Sequence, residues 1–386
     1  MPRHNQFHHQ PYLDTAPTSP HELLHPAGYP STDSDAFRRR MRNVGRAMTA
    51  AGVQAIYLAH GTFVGADAMG LFADLGRFVP QLGDTCRRLA KQAVDAVVGD
   101  VGNYTPQYAA LFERSLAGDE GPTIPVRLFH WSSENHHLGR ADGAVRLIDE
   151  LASLELERGA RILLWGHSHA GNVFALVTNL LSGDQSAVEQ FFDAARVYYR
   201  WPLFGCIDIP LWQRVERLLL EGPNPLDGID LDMVTFGTPI RYGWDTAGYA
   251  QLMHFVNHRP AAGLPPYRAP FPPAPERVLA AADGDYVQQF GIAGTNLMPS
   301  VFAWRSWWAD NRLRRLFEPE VSPMGFAERI GLGARVPAEG TTLLVNYGEP
   351  SGNLGQHLLG HAVYTRQEWL LFHAEEVARH FYGLDA

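Results

Sequence analysis

Residues 166–171 read GHSHAG, a serine with a glycine two positions before it and an alanine two positions after it. The spacing is close to the G-x-S-x-G nucleophile elbow, in which small residues let a strand turn sharply into a helix and leave a serine hydroxyl projecting from the turn. Ala170 stands where a second glycine is usual, with Gly171 directly after it, so the match is near rather than complete. A serine hydroxyl is a weak nucleophile at neutral pH. It needs a histidine to accept its proton and a carboxylate to fix that histidine's tautomer. The chemistry to look for is therefore acyl transfer on Ser168, served by an acid–base pair elsewhere in the chain.

An elbow works only between a strand and a helix, and the local pattern supplies both. Gly159 closes a helix over about Arg140 to Glu157. Arg161 to Trp165 is a β-rich run ending at Gly166, and Asn172 to Leu181 carries apolar residues at helical spacing. Upstream, Asp35 to Ala51 reads as a helix and Gln54 to Ala59 as a buried strand that delivers His60-Gly61-Thr62-Phe63. A mainly helical stretch to about Leu116 and a strand from Val126 to Trp131 follow. Downstream, Leu231 to Phe236, Leu252 to Val256 and Thr341 to Tyr347 read as strands, before a final helix over about Arg366 to Tyr382. Strands alternating with helices predict an α/β fold with a mainly parallel sheet covered on both faces.

With GHSHAG and HGTF in these positions, the chain resembles the α/β-hydrolase superfamily, specifically its lipase-like and esterase-like members. In these an HG pair ends an earlier strand and the next residue donates a backbone N–H to the oxyanion. The resemblance implies an α/β-hydrolase fold with Thr62 and His169 as the two N–H donors. VTFGTP at 234–239 is similar to the strand end that follows the nucleophile helix, a structural rather than catalytic match. The resemblance covers about Val53 to Phe63 and Val126 to Tyr382 outside the insertions, and it is a match to a superfamily only.

The superfamily's chain order of Ser, then Asp or Glu, then His restricts the partners of Ser168. The stretch LLVNYGEPSGNLGQHLLGHAVYTRQEW offers His357 and His361 after the last strand. GHAVY, followed by Thr365 as a helix N-cap, resembles the family's histidine loop, which favours His361 as general base. His254, His258 and His373 fit less well, lying on a strand, at its end or in the last helix. For the acid, ADGDYV ends the proline-rich stretch after the penultimate strand, and Asp285-Tyr286-Val287 resembles the family's D-x-V pattern. Asp285 is preferred, with Asp283 and then Asp245 as rivals. The expected reaction is hydrolysis of a carboxylic ester through an acyl-enzyme on Ser168, with no metal or organic cofactor.

Two other readings compete. His167 and His169 with His136-His137 could ligate a metal, but an i, i+2 pair on a tight turn should diverge, and no H-E-x-x-H or Cys/His spacing is present. A non-catalytic α/β-hydrolase-fold binding protein would keep the fold while its serine sat apart from any histidine.

The rest of the sequence sets the bounds. Its 386 residues, 46% hydrophobic and 19% charged, suit one compact domain with a decorated cap. Lys and Arg number 32 against 41 Asp and Glu, a net charge of −9 that disfavours nucleic acid as a partner. The cluster Arg38-Arg39-Arg40 with Arg42 and Arg46 reads as a solvated helix face. Cys86 and Cys206 allow at most one disulfide, so a reducing compartment fits slightly better. The N-terminal stretch lacks a secretory apolar region and no run is long enough to span a bilayer, so a soluble, cytoplasmic protein is expected.

Residues 1–33 read as a loosely held arm, and its histidines (His4, His8, His9, His21, His25) lack a metal-ligand pattern. The domain over 34–386 is expected to carry cap insertions near 185–229, 259–282 and 291–340. The last includes FAWRSWWADNRLRRLF, whose aromatics at helical spacing favour packing over lining a substrate mouth. The apolar insertions point to an apolar, lipid-like or small-molecule ester.

Overall fold

The computed structural model describes residues 7–9, 16–61, 102–117, 123–200, 208–271, 273–292, 299, 303–318, 334–349 and 357–385. Thr62, Cys86 and Cys206 lie outside them. The protein is α/β, built on a parallel sheet of seven strands: β1 (His21–Leu24), β2 (Val53–Ala59), β3 (Val126–Phe129), β4 (Arg161–His167), β5 (Asp230–Phe236), β6 (Gln251–Asn257) and β7 (Thr341–Val345), in the spatial order β1-β7-β6-β5-β4-β2-β3. The central strands are buried along nearly their whole length, as both faces of a parallel sheet require.

Strand alternation divides the core. Tyr57, Ile162, Leu164 and Met233 face one apolar cluster, whereas Ile56, Leu163, Trp165, Val234 and Phe255 face the other. The second cluster is closed by α1 (Asp35–Ala50), α2 (Pro106–Leu116) and α10 (Leu370–Tyr382). The first is closed by α3 (His137–Ala152), α4 (Ala170–Leu181), α5 (Gln185–Tyr199), α6 (Pro210–Glu221) and α9 (Trp304–Phe317). Two short helices, α7 (Pro275–Leu279) and α8 (Tyr286–Ile292), follow β6. Local signals set several starts: Ser34 accepts from Phe37 N at 3.2 Å, and Thr105, before Pro106, from Tyr108 N at 3.2 Å.

Two expectations need correction. The loosely held arm is tied down where it is described: His21–Leu24 adds an edge strand paired with Thr342 to Val345, and Phe7 is 1% exposed among Phe191 and Phe317. The last helix begins at Leu370 after three short 3-10 turns. Thr365 does not cap it; its hydroxyl accepts from Gly102 N at 3.0 Å instead. The insertions near 185–229 and 291–340 contain α5, α6 and α9, which belong to the same apolar cluster as α3 and α4.

The topology fixes where a site can form. The chain runs outward from β2 to β3 and returns past β2 to β4, so direction reverses between β2 and β4. Such a reversal is where open α/β sheets place a crevice, beyond the carboxyl ends of the strands. Ala59 pairs with Gly166 in register, which sets His60-Gly61 beside Ser168.

Candidate active site

Ser168 has φ 56°, the left-handed region that a non-glycine residue seldom enters. The neighbours hold it there. Its N–H donates to Phe236 O at the end of β5 (2.8 Å), and its carbonyl accepts from the Thr238 hydroxyl (2.6 Å) and Gly171 N (3.2 Å). A Cβ at Gly166 would lie 2.5 Å from Phe174 Cε2, so the first small residue of the motif is a packing requirement. Gly171 plays the matching part after the turn, where a side chain would strike Thr238, and Ala170 is accommodated with no exposure. Gly61 closes the other side: a Cβ there would lie 2.6 Å from Ser168 Cβ. His169 occupies the N-cap of α4, where the first N–H groups of the helix lack intrahelical acceptors.

The structure brings His361 and Asp285 together. His361 Nδ1 donates to Asp285 Oδ2 at 2.7 Å, with both residues buried. The same carboxylate accepts from the Tyr364 hydroxyl at 2.9 Å and, through Oδ1, from Gln288 N at 2.8 Å. Burial alone would raise the carboxyl's pKa. The His361 imidazole and the Gln288 N–H outweigh burial and hold it below the ordinary carboxylate range. Its backbone is anchored as well, Asp285 N donating to Asn257 O at 2.9 Å and the Arg335 guanidinium to Asp285 O. Gly237, at φ 59°, lies against this pair; a Cβ there would come within 2.6 Å of Asp285 Oδ2 and collide with the Tyr364 ring.

With its proton on Nδ1, His361 keeps Nε2 as the basic nitrogen. Nε2 is buried and makes no hydrogen bond to Ser168 Oγ or any other group among the described residues. His167, the residue before the serine, packs on the His361 ring with centroids 4.5 Å apart and donates from Nε2 to His361 O at 3.2 Å. Burial first, then the adjacent His361, lowers His167 to about 3, so it stays neutral.

The rival residues lie in other surroundings. Asp283 is bound by Arg277 and the Tyr286 hydroxyl. Asp245 accepts from Ala247 N at 2.9 Å in a local turn. His357 lines a small cavity with Arg259, Arg366 and Trp369 and has no partner for Nδ1. His254 is held by the Thr235 hydroxyl and Glu339 O, His258 by Pro266 O and His373 by the Tyr347 hydroxyl. As expected of an i, i+2 pair, His167 and His169 diverge: His169 Nδ1 accepts from Asn172 Nδ2 at 3.1 Å and from Arg140 Nη1 at 3.4 Å. His136 caps Gly139 N and His137 meets the Tyr242 hydroxyl. Among the described residues no three His, Cys, Asp or Glu side chains converge on a metal position.

Tyr364, Arg335 and Arg140 contribute to this geometry without having been singled out in the sequence. Tyr364 lies in the GHAVY segment, where it passed as a generic aromatic; Arg335 and Arg140 carry no local signal. Compared with protein-family models, with curated proteins and with solved structures, the chain matches none.

Proposed function

We propose that the protein is a serine hydrolase of the α/β-hydrolase type that cleaves a carboxylic ester. The observation that carries the reading is the buried His361–Asp285 pair, delivered by loops after β7 and β6 to the sheet edge where β4 ends in the strained Ser168. In the reaction, His361 Nε2 takes the Ser168 hydroxyl proton as Oγ bonds to the substrate carbonyl carbon. The oxyanion is stabilised by the N–H groups of His169 and Thr62, the latter assigned from the sequence alone. The proton passes from His361 to the leaving alkoxide as the ester C–O bond breaks. Water then gives a proton to His361 and its hydroxide to the acyl carbon, and Ser168 leaves as the free hydroxyl. An oxyanion donor of this kind supplies about 10² to 10³ in turnover.

The binding-protein reading draws on one observation, the absence of a hydrogen bond between Ser168 Oγ and His361 Nε2. In unliganded serine hydrolases that bond is often long and tightens only with substrate. Labelling by a fluorophosphonate probe separates the two readings. Covalent labelling lost in Ser168→Ala, together with hydrolysis of p-nitrophenyl esters by the wild type alone, is expected. A folded wild type that takes no label would replace the hydrolase with the binding protein.

A further inference from the structure

Helix α9 presents its two most exposed aromatic side chains on one face, Trp304 at 55% and Trp308 at 54% exposure. Arg312 and Arg315 are also exposed, and steps of four, four and three residues align all four along the helix. The opposite face is firmly seated. Ala309, Leu313 and Phe317 lie in the core, Arg305 donates to Val197 O at 2.7 Å and Arg200 O at 2.9 Å, and Asp310 accepts from Leu138 N at 2.8 Å. The tryptophans are therefore held outward by a fixed helix. The sequence expectation that this segment's aromatics pack inward holds for Phe317 and fails for Trp304 and Trp308.

One exposed apolar side chain is ordinary on a protein surface. Two tryptophans one turn apart, followed by three arginines, are a different object. Arg312, Arg314 and Arg315 make no ion pair among the described residues, whereas Arg38, Arg158, Arg196 and Arg214 each pair with an aspartate. The stripe is a local excess of unpaired positive charge on a chain of net charge −9. Indole rings settle at the headgroup level of a bilayer, and guanidinium groups bind phosphate. A nucleic acid would meet the arginines but leave the tryptophans without an apolar layer.

We infer that this face of α9 docks the protein on an anionic phospholipid surface. The helix lies on the surface; no helix of the described residues is long and apolar enough to cross it. The docking stands independently of the role of Ser168.

The test is co-sedimentation of the full chain with vesicles of phosphatidylcholine alone or mixed with phosphatidylglycerol. Wild type is expected to sediment with the mixed vesicles, less so at high salt, and to show tryptophan quenching by brominated lipid. Trp304→Ser/Trp308→Ser and Arg312→Gln/Arg315→Gln should each weaken partition about tenfold or more, with far-UV dichroism matching wild type. Equal binding by the variants, no binding of the wild type to mixed vesicles, or binding to a DNA duplex in place of vesicles would overturn the inference. Because sedimentation does not depend on turnover, its failure is distinct from failure of ester hydrolysis.

Discussion

Two buried polar clusters flank Ser168 and differ in kind. On one side a single carboxylate, Asp285, collects neutral or weakly charged donors: His361 Nδ1, the Tyr364 hydroxyl and Gln288 N. On the other, full charges are buried together. Arg140, fully buried, donates to the Tyr242 hydroxyl, Asn135 Oδ1 and His169 Nδ1, and Arg241 holds Glu318 through two hydrogen bonds, Nε to Oε1 at 3.0 Å and Nη2 to Oε2 at 2.5 Å. The first cluster can move a proton without creating a stranded charge. The second cannot lose a partner cheaply, because a buried ion left alone keeps its desolvation cost. On the proposed hydrolase reading, chemistry belongs to the first side and fixation of α3, α9 and His169 to the second.

The largest effect belongs to the first side. Asp285→Asn preserves shape but removes the charge that fixes the His361 tautomer, and turnover of a p-nitrophenyl ester should fall about 10⁴-fold. Far-UV dichroism should stay unchanged. A variant within tenfold of wild type would remove Asp285 from the chemistry and with it the comparison.

Next comes the second side, where the readout is stability. Glu318→Gln removes the carboxylate that holds Arg241 and should cost about 3 kcal/mol in urea unfolding. The paired change Arg241→Met with Glu318→Leu should cost markedly less, since neither charge is then left alone. If the single change proves as mild as the double, the buried pair is not the clamp described above.

The buried histidines part under titration as well. Burial lowers His167 and His258 to about 3, His254 to about 4 and His373 to about 3, each below the ordinary histidine value. An unfolded chain binds protons at these positions near pH 6.5 while the folded one does not. Their contribution is therefore complete above 6.5 and is lost as pH falls toward the folded values, by about 1.4 kcal/mol per group per pH unit at the steepest. His136 behaves oppositely. Burial would lower it, but Glu134 and Asp310 raise it to about 9, so its contribution is complete below 6.5 and fades as pH rises through 9. Melting temperature should drop on acidification below 6.5 and decline gently on the alkaline side. His136→Asn, which keeps an N-cap acceptor, should flatten only the alkaline limb.

How much of this was legible follows the same division. Ser168, Asp285 and His361 sit just beyond strand ends, where parallel register dictates which loops meet, and chain order was enough to bring their positions forward. The serine's elbow is written in small residues because Phe174 and Thr238 crowd Gly166 and Gly171. The four residues of β1 form an edge strand with no period to betray them. Arg140 sits on a helix whose first two turns are buried all round, so nothing in its spacing marks it as different from the apolar residues beside it. Its partners come from the loop after β5 and from the turn after β4, separated by up to 102 positions, and only the folded chain assembles them.

The smallest effect concerns Tyr364, and it tests how finely the first side is built. Its hydroxyl donates to Asp285 Oδ2 and accepts from Asn257 N at 2.7 Å, so one oxygen ties the acid to the end of β6. Tyr364→Phe leaves the ring against Gly237 and removes only that oxygen. The carboxylate then carries more of its charge toward His361, while the loop loses one restraint worth about 1 kcal/mol. Turnover should fall only about fivefold, and the acidic limb of the kcat/KM profile should move to higher pH by less than about one unit. An unmoved profile with a lower melting temperature would reduce Tyr364 to a packing residue. A shifted profile would place it among the groups that position the acid.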